Sequence, residues 1–167
     1  MIRAKIFQGR LRFYIAFFCL CSISTLSYSH EIKIDGKLND LSWESAEEYT
    51  KFYESFPFTL KSPSSFQKVL ILEDSDGIYF GFINQQKKEQ VRANKHERDD
   101  EMSNADKVGV SIDFDGNGLV AYSFSVSAGG SISDGIYRNE NEINYDWDAD
   151  WKSDVFIEDD YWFAEIF

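Results

Sequence analysis

Aromatic and acidic side chains alternate in one short segment towards the C-terminal end of the chain, and both types suit the binding of a sugar. The aromatic members are Tyr145, Trp147 and Trp151, and the acidic members are Asp146, Asp148 and Asp150. Flat rings stack on the apolar face of a pyranose, and carboxylates accept hydrogen bonds from its hydroxyl groups. The segment is a candidate carbohydrate-binding patch. The alternative is that Trp147 and Trp151 pack a loop onto the core.

A second candidate lies in the most charged stretch, Gln85–Asn104, which has no period-two hydrophobic pattern. Long connections on β scaffolds commonly carry binding residues. His96, Arg98, Asp99 and Asp100 could therefore form a site there, with Arg98, Asp99 and Asp100 as contacts at the rim of a sugar site. A solvated loop explains these residues equally well.

The sequence Asp113-x-Asp115-x-Asn117-Gly118 matches the first half of a calcium-binding loop. In such a loop, oxygen atoms at alternate positions converge on a hard cation, and glycine permits the tight turn. Here the twelfth position is Phe124 rather than a bidentate glutamate, and a strand pattern follows the turn. Calcium is the one metal ion that the sequence suggests, and no cofactor is required. An ordinary hairpin turn is the alternative.

Catalysis by this chain is not expected. A glycosidase needs two carboxyl groups that face each other across a cleft, whereas the pairs Asp99–Asp100 and Glu158–Asp159 are adjacent in sequence. His30 and His96 form neither a Ser-His-Asp order nor a metal-binding spacing, and there is no glycine-rich phosphate loop. Any activity would belong to an attached domain.

Residues 1–29 have the composition of a secretory signal peptide. A basic beginning is followed by the apolar run Phe13–Ile23 and by a small-x-small cleavage site, so cleavage is expected before His30. Cys19 and Cys21 leave with this segment, and the mature chain then has no disulfide and no thiolate metal site. We expect an exported protein that is periplasmic, outer-membrane-associated or secreted.

The mature chain is expected to be strongly acidic. The whole chain has 17 basic and 29 acidic residues, of which residues 1–29 carry four basic and no acidic ones. The remaining 13 basic and 29 acidic residues give a formal net charge of −16. This charge argues against nucleic acid or an anionic membrane surface as a partner, and it permits cation binding.

Two predicted hairpins fix the fold class. Hydrophobic residues alternate with small or polar ones in Val108–Asp113 and again in Val120–Ser127, on either side of the turn Asp115–Gly118. A second pair of strands, Gln67–Leu72 and Ile78–Asn84, flanks another Asp-Gly turn. Period two on both sides of a turn is typical of an antiparallel hairpin with one buried face.

The remaining elements complete an all-β pattern. Further strands are predicted at His30–Ile34, Ser131–Arg138, Trp151–Ile157 and Tyr161–Phe167, with helical turns in Leu38–Tyr49 and a loop at Asn139–Asp150. At least seven short strands indicate one antiparallel β-sandwich or jelly roll over residues 30–167. No turn or closing strand follows Phe167, so we expect an open edge at Tyr161–Phe167 and a sandwich truncated at its C-terminal end.

Four motifs of the mature chain resemble, in their order and spacing, the family 9 carbohydrate-binding module. They are Ile34–Trp43 (IDGKLNDLSW), the hairpin Asp74–Phe82, Asp106–Asp113 (DKVGVSID) and Trp162–Ile166 (WFAEI). More narrowly, the strand before Gly129–Gly135 and the segment Trp147–Trp151 resemble the version at the N-terminus of exported bacterial proteins that continue into an outer-membrane barrel. The resemblance covers His30–Phe167.

The resemblance implies a β-sandwich that binds xylan-type or other polysaccharides without catalysis, often attached to a glycoside hydrolase in carbohydrate catabolism, with structural calcium. The chain departs from sugar-binding members at Ser103, Ser125 and Ser127, which replace an aromatic platform and longer polar side chains. Serine donates one hydrogen bond but cannot stack on a sugar. The alternative function is therefore a periplasmic accessory or gating domain of an outer-membrane β-barrel protein whose sugar site has been lost.

Overall fold

The computed structural model describes residues 32–100, 104–138 and 142–167. The predicted signal peptide, the cleavage site before His30 and the predicted platform position Ser103 lie outside these ranges. Within them, no helix is long and apolar enough to cross a membrane.

Nine strands in the described ranges form two antiparallel sheets. In chain order they are β1 (Glu47–Tyr49), β2 (Gln67–Glu73), β3 (Ile78–Gln85), β4 (Lys107–Ile112), β5 (Val120–Ser127), β6 (Ile132–Arg138), β7 (Glu142–Asn144), β8 (Ser153–Ile157) and β9 (Tyr161–Ile166). The larger sheet has the order β1-β2-β3-β9-β8 and the smaller sheet the order β4-β5-β6-β7. Two short 3-10 helices span Leu41–Ser45 and Lys88–Gln90. The predicted all-β antiparallel sandwich is confirmed.

The inward faces of the two sheets form the main core. On the smaller sheet, Val108 lies opposite Val126 and Val110 lies opposite Phe124, as the alternating sequence predicts. The larger sheet contributes the buried residues Phe80, Phe82, Trp162, Ala164 and Ile166. Because successive side chains of a strand point to opposite faces, these alternate residues meet between the sheets and exclude water.

The strand β9 lies in the interior of the larger sheet rather than at its edge. It pairs with β3 on one side, where Phe82 is opposite Ala164, and with β8 on the other, where Val155 is opposite the same alanine. The predicted open edge at Tyr161–Phe167 is therefore wrong. An alternating sequence predicts that a segment is a strand, but it does not predict which strands pair with it. In the structure, β9 lies between β3 and β8.

The segment from residue 32 to residue 46 covers the outward face of the larger sheet. A second core on this face contains Ile32, Trp43, Leu70 and Tyr79. Within the described residues, Ile32–Ile34 form no strand, so this part of the predicted strand His30–Ile34 is wrong. Their apolar side chains pack across the sheet instead of pairing along its edge.

Glu165 fixes this covering segment from beneath. Its side chain is fully buried, and its Oε2 atom accepts the backbone N–H groups of Asp35 (2.8 Å) and Gly36 (2.7 Å). Its Oε1 atom accepts the indole N–H of Trp43 at 3.1 Å. Burial raises the pKa of Glu165, although these three donors act to lower it. A buried carboxylate of β9 therefore holds the start of the described chain in place.

Two three-residue strands replace other predicted structure. The strand β1 forms at the end of the predicted helical segment Leu38–Tyr49, in which the helix is confined to Leu41–Ser45. The strand β7 lies within the predicted loop Asn139–Asp150. All three residues of β1 and two of the three in β7 are exposed, so neither strand has an alternation that would reveal it.

Candidate ligand-binding groove

Five aromatic rings form a continuous row on the inner side of the smaller sheet. In order of contact, the row consists of Phe114, Tyr122, Trp147, Phe124 and Trp151. The centroids of successive rings are 5.1 to 6.0 Å apart, at tilted or edge-to-face angles. Such pairs contribute about 0.5–1.5 kcal/mol each beyond the burial of their area. The row therefore holds the connection between β7 and β8, which carries both tryptophans, against strand β5.

The row reaches a groove of about 500 Å³ at one end of the sandwich. Phe114 and Trp151 line this end groove, together with Ile78 and Phe80 of β3 and Ile112 of β4. Phe114 is 63% exposed, so its ring can be covered by a ligand without displacing core residues. The end groove thus has an apolar floor from both sheets and two aromatic walls.

Charged side chains stand at the rim of the end groove. Asp76 belongs to the β2–β3 turn, and Asp150 and Lys152 flank Trp151 in sequence. All three side chains are exposed. The carboxylates accept hydrogen bonds and the ammonium group donates them. The rim can therefore pair with hydroxyl groups that donate a hydrogen bond and with those that accept one.

The indole N–H of Trp151 is buried and has no hydrogen-bond partner among the described residues. Leaving such a donor unpaired costs about 1–3 kcal/mol. Trp151 is half-buried as a whole, so one side of its ring packs on the sandwich while the residue also lines the groove.

Arg98 joins three carboxylates beside the aromatic row instead of lining the groove. Its Nε atom is 2.8 Å from Asp148 Oδ1 and 3.6 Å from Asp99 Oδ2, and its Nη2 atom contacts Asp134 Oδ1. Burial acts to lower the pKa of Arg98, but the three carboxylates outweigh it and raise the pKa. The buried Asp134 also accepts the backbone N–H of Ala149 at 2.7 Å. Arg98 and Asp134 therefore position the segment that carries Trp147 and Trp151, and Asp99 accepts the backbone N–H of Asp134 at 2.9 Å.

Asp100, the third predicted rim residue, contacts His96: its Oδ2 atom lies 3.3 Å from His96 Nδ1. The backbone N–H of His96 donates to Ser131 Oγ at 2.7 Å, which places this loop on the outward face of the smaller sheet. Beneath it, Ser127 is buried and Ser125 lines a space of about 20 Å³. A space of that size holds about one water molecule. The loop therefore covers the serine positions where the family resemblance would place a sugar.

Asp113 and Asn117, two of the predicted calcium ligands, direct oxygen atoms at N–H groups of their own turn. The Asp113 carboxylate accepts the N–H groups of Asp115 (3.1 Å), Gly116 (2.9 Å) and Gly118 (2.6 Å). These hydrogen bonds, of which that of Gly118 is the strongest influence, lower the pKa of Asp113. Asn117 Oδ1 accepts the N–H two residues later at 2.9 Å. The contacts stabilise the hairpin turn, and calcium at Asp113, Asp115 and Asn117 stays a prediction.

The structure brings together some of the predicted sugar-binding residues and adds others. Trp151 lines the end groove, Trp147 is separated from it by Phe124 in the aromatic row, and Tyr145 is half-buried outside the groove lining. Phe114 and Asp134 are not predicted as site residues from the sequence. Asp134 could have been found as a charged residue at an inward position of β6, whereas an aromatic residue in a turn carries no such signal.

Comparisons of the chain with protein-family profiles, with curated proteins and with solved structures found no match. The resemblance to the family 9 module therefore depends on the sequence motifs alone. Fold and groove together define an all-β sandwich with an aromatic-walled groove at one end.

Proposed function

We propose that this protein is an exported, non-catalytic carbohydrate-binding domain and that it binds a xylan-type or related polysaccharide in the end groove. The observation that carries the proposal is the aromatic row, which reaches the groove at Phe114 and Trp151. An aromatic wall can cover the apolar face of a pyranose, while Asp76, Asp150 and Lys152 at the rim exchange hydrogen bonds with its hydroxyl groups.

The charged rim favours a sugar over a wholly apolar ligand. An apolar molecule in the end groove would displace water from the charged groups of Asp76, Asp150 and Lys152 without replacing the hydrogen bonds that are lost, which costs free energy. A sugar presents hydroxyl groups around its edge and C–H groups on its faces, so it matches a charged rim and apolar walls together. The role in carbohydrate catabolism is to hold the polysaccharide for an attached glycoside hydrolase.

Calorimetric titration with soluble xylan oligosaccharides and a panel of other glycans tests the proposal. Phe114→Ala removes an exposed wall of the groove, and we expect the affinity to fall about tenfold, which corresponds to the loss of one stacking contact. Trp151→Ala is expected to reduce affinity further, but Trp151 is half-buried and its replacement also disturbs packing. Phe114→Ala removes the contact with Tyr122 as well, but Phe114 is 63% exposed, so it is the cleaner variant.

Leu119→Ala is the matched control. Leu119 is 68% exposed in the same β4–β5 connection and does not line the end groove, so its replacement should leave the affinity unchanged. A folded chain that binds no glycan of the panel would contradict the proposal. So would equal affinities for the native chain and Phe114→Ala.

The second candidate is the accessory or gating domain of an outer-membrane protein. The observation that favours it is the loop over Ser125 and Ser127, beneath which the space lined by these two serines is only about 20 Å³. An antibody against this chain, applied to fractionated cell envelope, tests this candidate. A polypeptide much longer than 167 residues in the outer membrane would support it. A soluble product that binds glycans would contradict it.

A further inference from the structure

A loop between β1 and β2 presents large apolar side chains to solvent. Phe56 is 97% exposed and Phe58 78% exposed, and Leu60 exposes more than half of its surface. Tyr53 at the base of the loop is also exposed. Single exposed apolar residues are common on proteins, but a cluster within eight positions of one loop indicates an interaction surface. We call residues 53–61 the apolar loop.

The apolar loop is closed by its own hydrogen bonds. The backbone N–H of Glu54 donates to the carbonyl of Lys61 at 2.9 Å, and the N–H of Leu60 donates back to the carbonyl of Glu54 at 3.1 Å. The Glu54 carboxylate also accepts the hydroxyl of Thr59. Leu60 has a φ of 55°, a left-handed conformation that is rare for a bulky residue. A strained, closed loop with its apolar side chains outward suggests that this exposure serves a function.

Charge distinguishes the apolar loop from the rest of the molecule. Residues 51–65 contain two basic residues, Lys51 and Lys61, and one acidic residue, Glu54, in a chain of net charge −12. The two lysines are exposed and flank the apolar tip. Apolar and aromatic side chains at a tip, with lysine and tyrosine at the base, match the order of layers from the acyl chains to the headgroups of a bilayer.

The shape of the loop favours a lipid surface over a folded protein partner. Phe56 and Phe58 are among the most exposed large apolar side chains of the described residues, so their rings project outward instead of packing on the sandwich. Projecting side chains can enter a fluid acyl layer without a complementary cavity, whereas a protein partner would need one. We propose that the apolar loop inserts Phe56, Phe58 and Leu60 into the surface of a zwitterionic bilayer.

The apolar loop and the end groove lie at opposite ends of strand β2. The loop leads into the start of β2, while the β2–β3 turn at the other end of that strand contributes Asp76 to the groove. A seven-residue strand spans about 20 Å. A bilayer bound at the apolar loop therefore leaves the groove open at the opposite end of the sandwich. The inference does not depend on the ligand of that groove.

Fluorescence quenching by lipids that carry a nitroxide on the acyl chain tests the insertion. The full chain is used with Cys19→Ser and Cys21→Ser, and an environment-sensitive fluorophore is attached at Phe58→Cys. The apolar run of the predicted signal peptide can tether the chain to vesicles by itself. The readout is therefore the depth of one labelled side chain in the bilayer, and not sedimentation of the protein with vesicles. We expect strong quenching on phosphatidylcholine vesicles, and we expect Phe56→Ser to lower the equilibrium constant for insertion of the labelled loop, read from this quenching, about tenfold or more.

A label at Leu119→Cys provides the matched control, because Leu119 is similarly exposed but lies on the β4–β5 connection near the groove end. It should remain unquenched. Quenching at position 58 that does not exceed that at position 119, or that survives Phe56→Ser, would overturn the proposal. So would shielding of the position 58 label on raising the protein concentration without lipid, since that result assigns the loop to a protein surface. None of these outcomes bears on the proposed glycan binding, which is measured in a separate experiment.

Discussion

Arg98 is the positive charge that allows three carboxylates to lie together beside the aromatic row. Asp99, Asp134 and Asp148 place oxygen atoms within 4.8 Å of one another. Asp134 is buried, so its charge would be costly without the guanidinium that contacts it. The planar guanidinium offers several donors in fixed directions, which lets one side chain serve all three acceptors.

Replacing Arg98 should therefore destabilise the protein and create an affinity for a cation. We expect Arg98→Met to lower the free energy of unfolding by about 2–3 kcal/mol, less than for a fully buried pair because the guanidinium is partly exposed. Calcium should raise the melting temperature of Arg98→Met and leave that of the native protein nearly unchanged. An equal calcium effect on both proteins would contradict this account of Arg98.

Glu165 provides a second test at the scale of single residues. Gln in its place would aim an NH₂ group at a donor, because all three partners of Glu165 are N–H groups. We expect Glu165→Gln to cost about 1–3 kcal/mol. The penalty should be smaller when Trp43→Phe has removed the indole donor. Chemical denaturation of the four proteins of this cycle measures the coupling, and equal penalties in both backgrounds would contradict the assigned contact.

The same side chain predicts a dependence on pH. Because burial raises the pKa of Glu165 in the folded state, the folded protein holds a proton at pH values where the unfolded chain has lost it. The stability contributed at this position is therefore full below the ordinary glutamate pKa and falls as the pH rises through the raised value. The penalty of Glu165→Gln should shrink over the same range, and a penalty that grows with pH would contradict the raised pKa.

At the scale of elements, the sequence predicts those strands that have at least one buried face. Both hairpins, β2–β3 and β4–β5, form at the positions predicted from alternating hydrophobic residues on either side of a turn that contains Asp and Gly. The short strands β1 and β7 could not be predicted, because their residues are mostly exposed and alternate too little. The partners of β9 also could not be predicted, because alternation defines a face and not a neighbour.

Gly129 tests the loop that covers the serine face. A Cβ atom at this position would lie 2.4 Å from the carbonyl oxygen of Asn94 and 2.7 Å from that of Ala93, both of them backbone atoms. Gly129→Ala should therefore displace the loop, cost about 1–3 kcal/mol and speed hydrogen exchange at the N–H of His96. Gly116→Ala strains its own turn, because φ is 63° there, but its methyl group meets open space, so the exchange rate at His96 should stay unchanged. Unaltered exchange in Gly129→Ala would contradict the close approach.

At the scale of the whole molecule, the end groove exists only when the two sheets are stacked. Asp76, Phe114 and Trp151 come from three connections far apart in sequence and meet at one end of the sandwich. Trp151 is predictable from the sequence because aromatic and acidic residues are neighbours in its own segment. Phe114 is not predictable in this way, since its ring lines the groove only when β4 and β5 pack against the larger sheet.

The most direct test of the proposed function is a titration of the isotopically labelled chain with a xylan oligosaccharide, followed by two-dimensional NMR. Trp151 lines the end groove, so the resonance of its indole N–H is sensitive to a ligand that covers its ring. Binding in the end groove should shift this resonance together with the amides of Ile78, Phe114 and Lys152. Shifts confined to the serine face, or no shift with any glycan of the panel, would contradict the account.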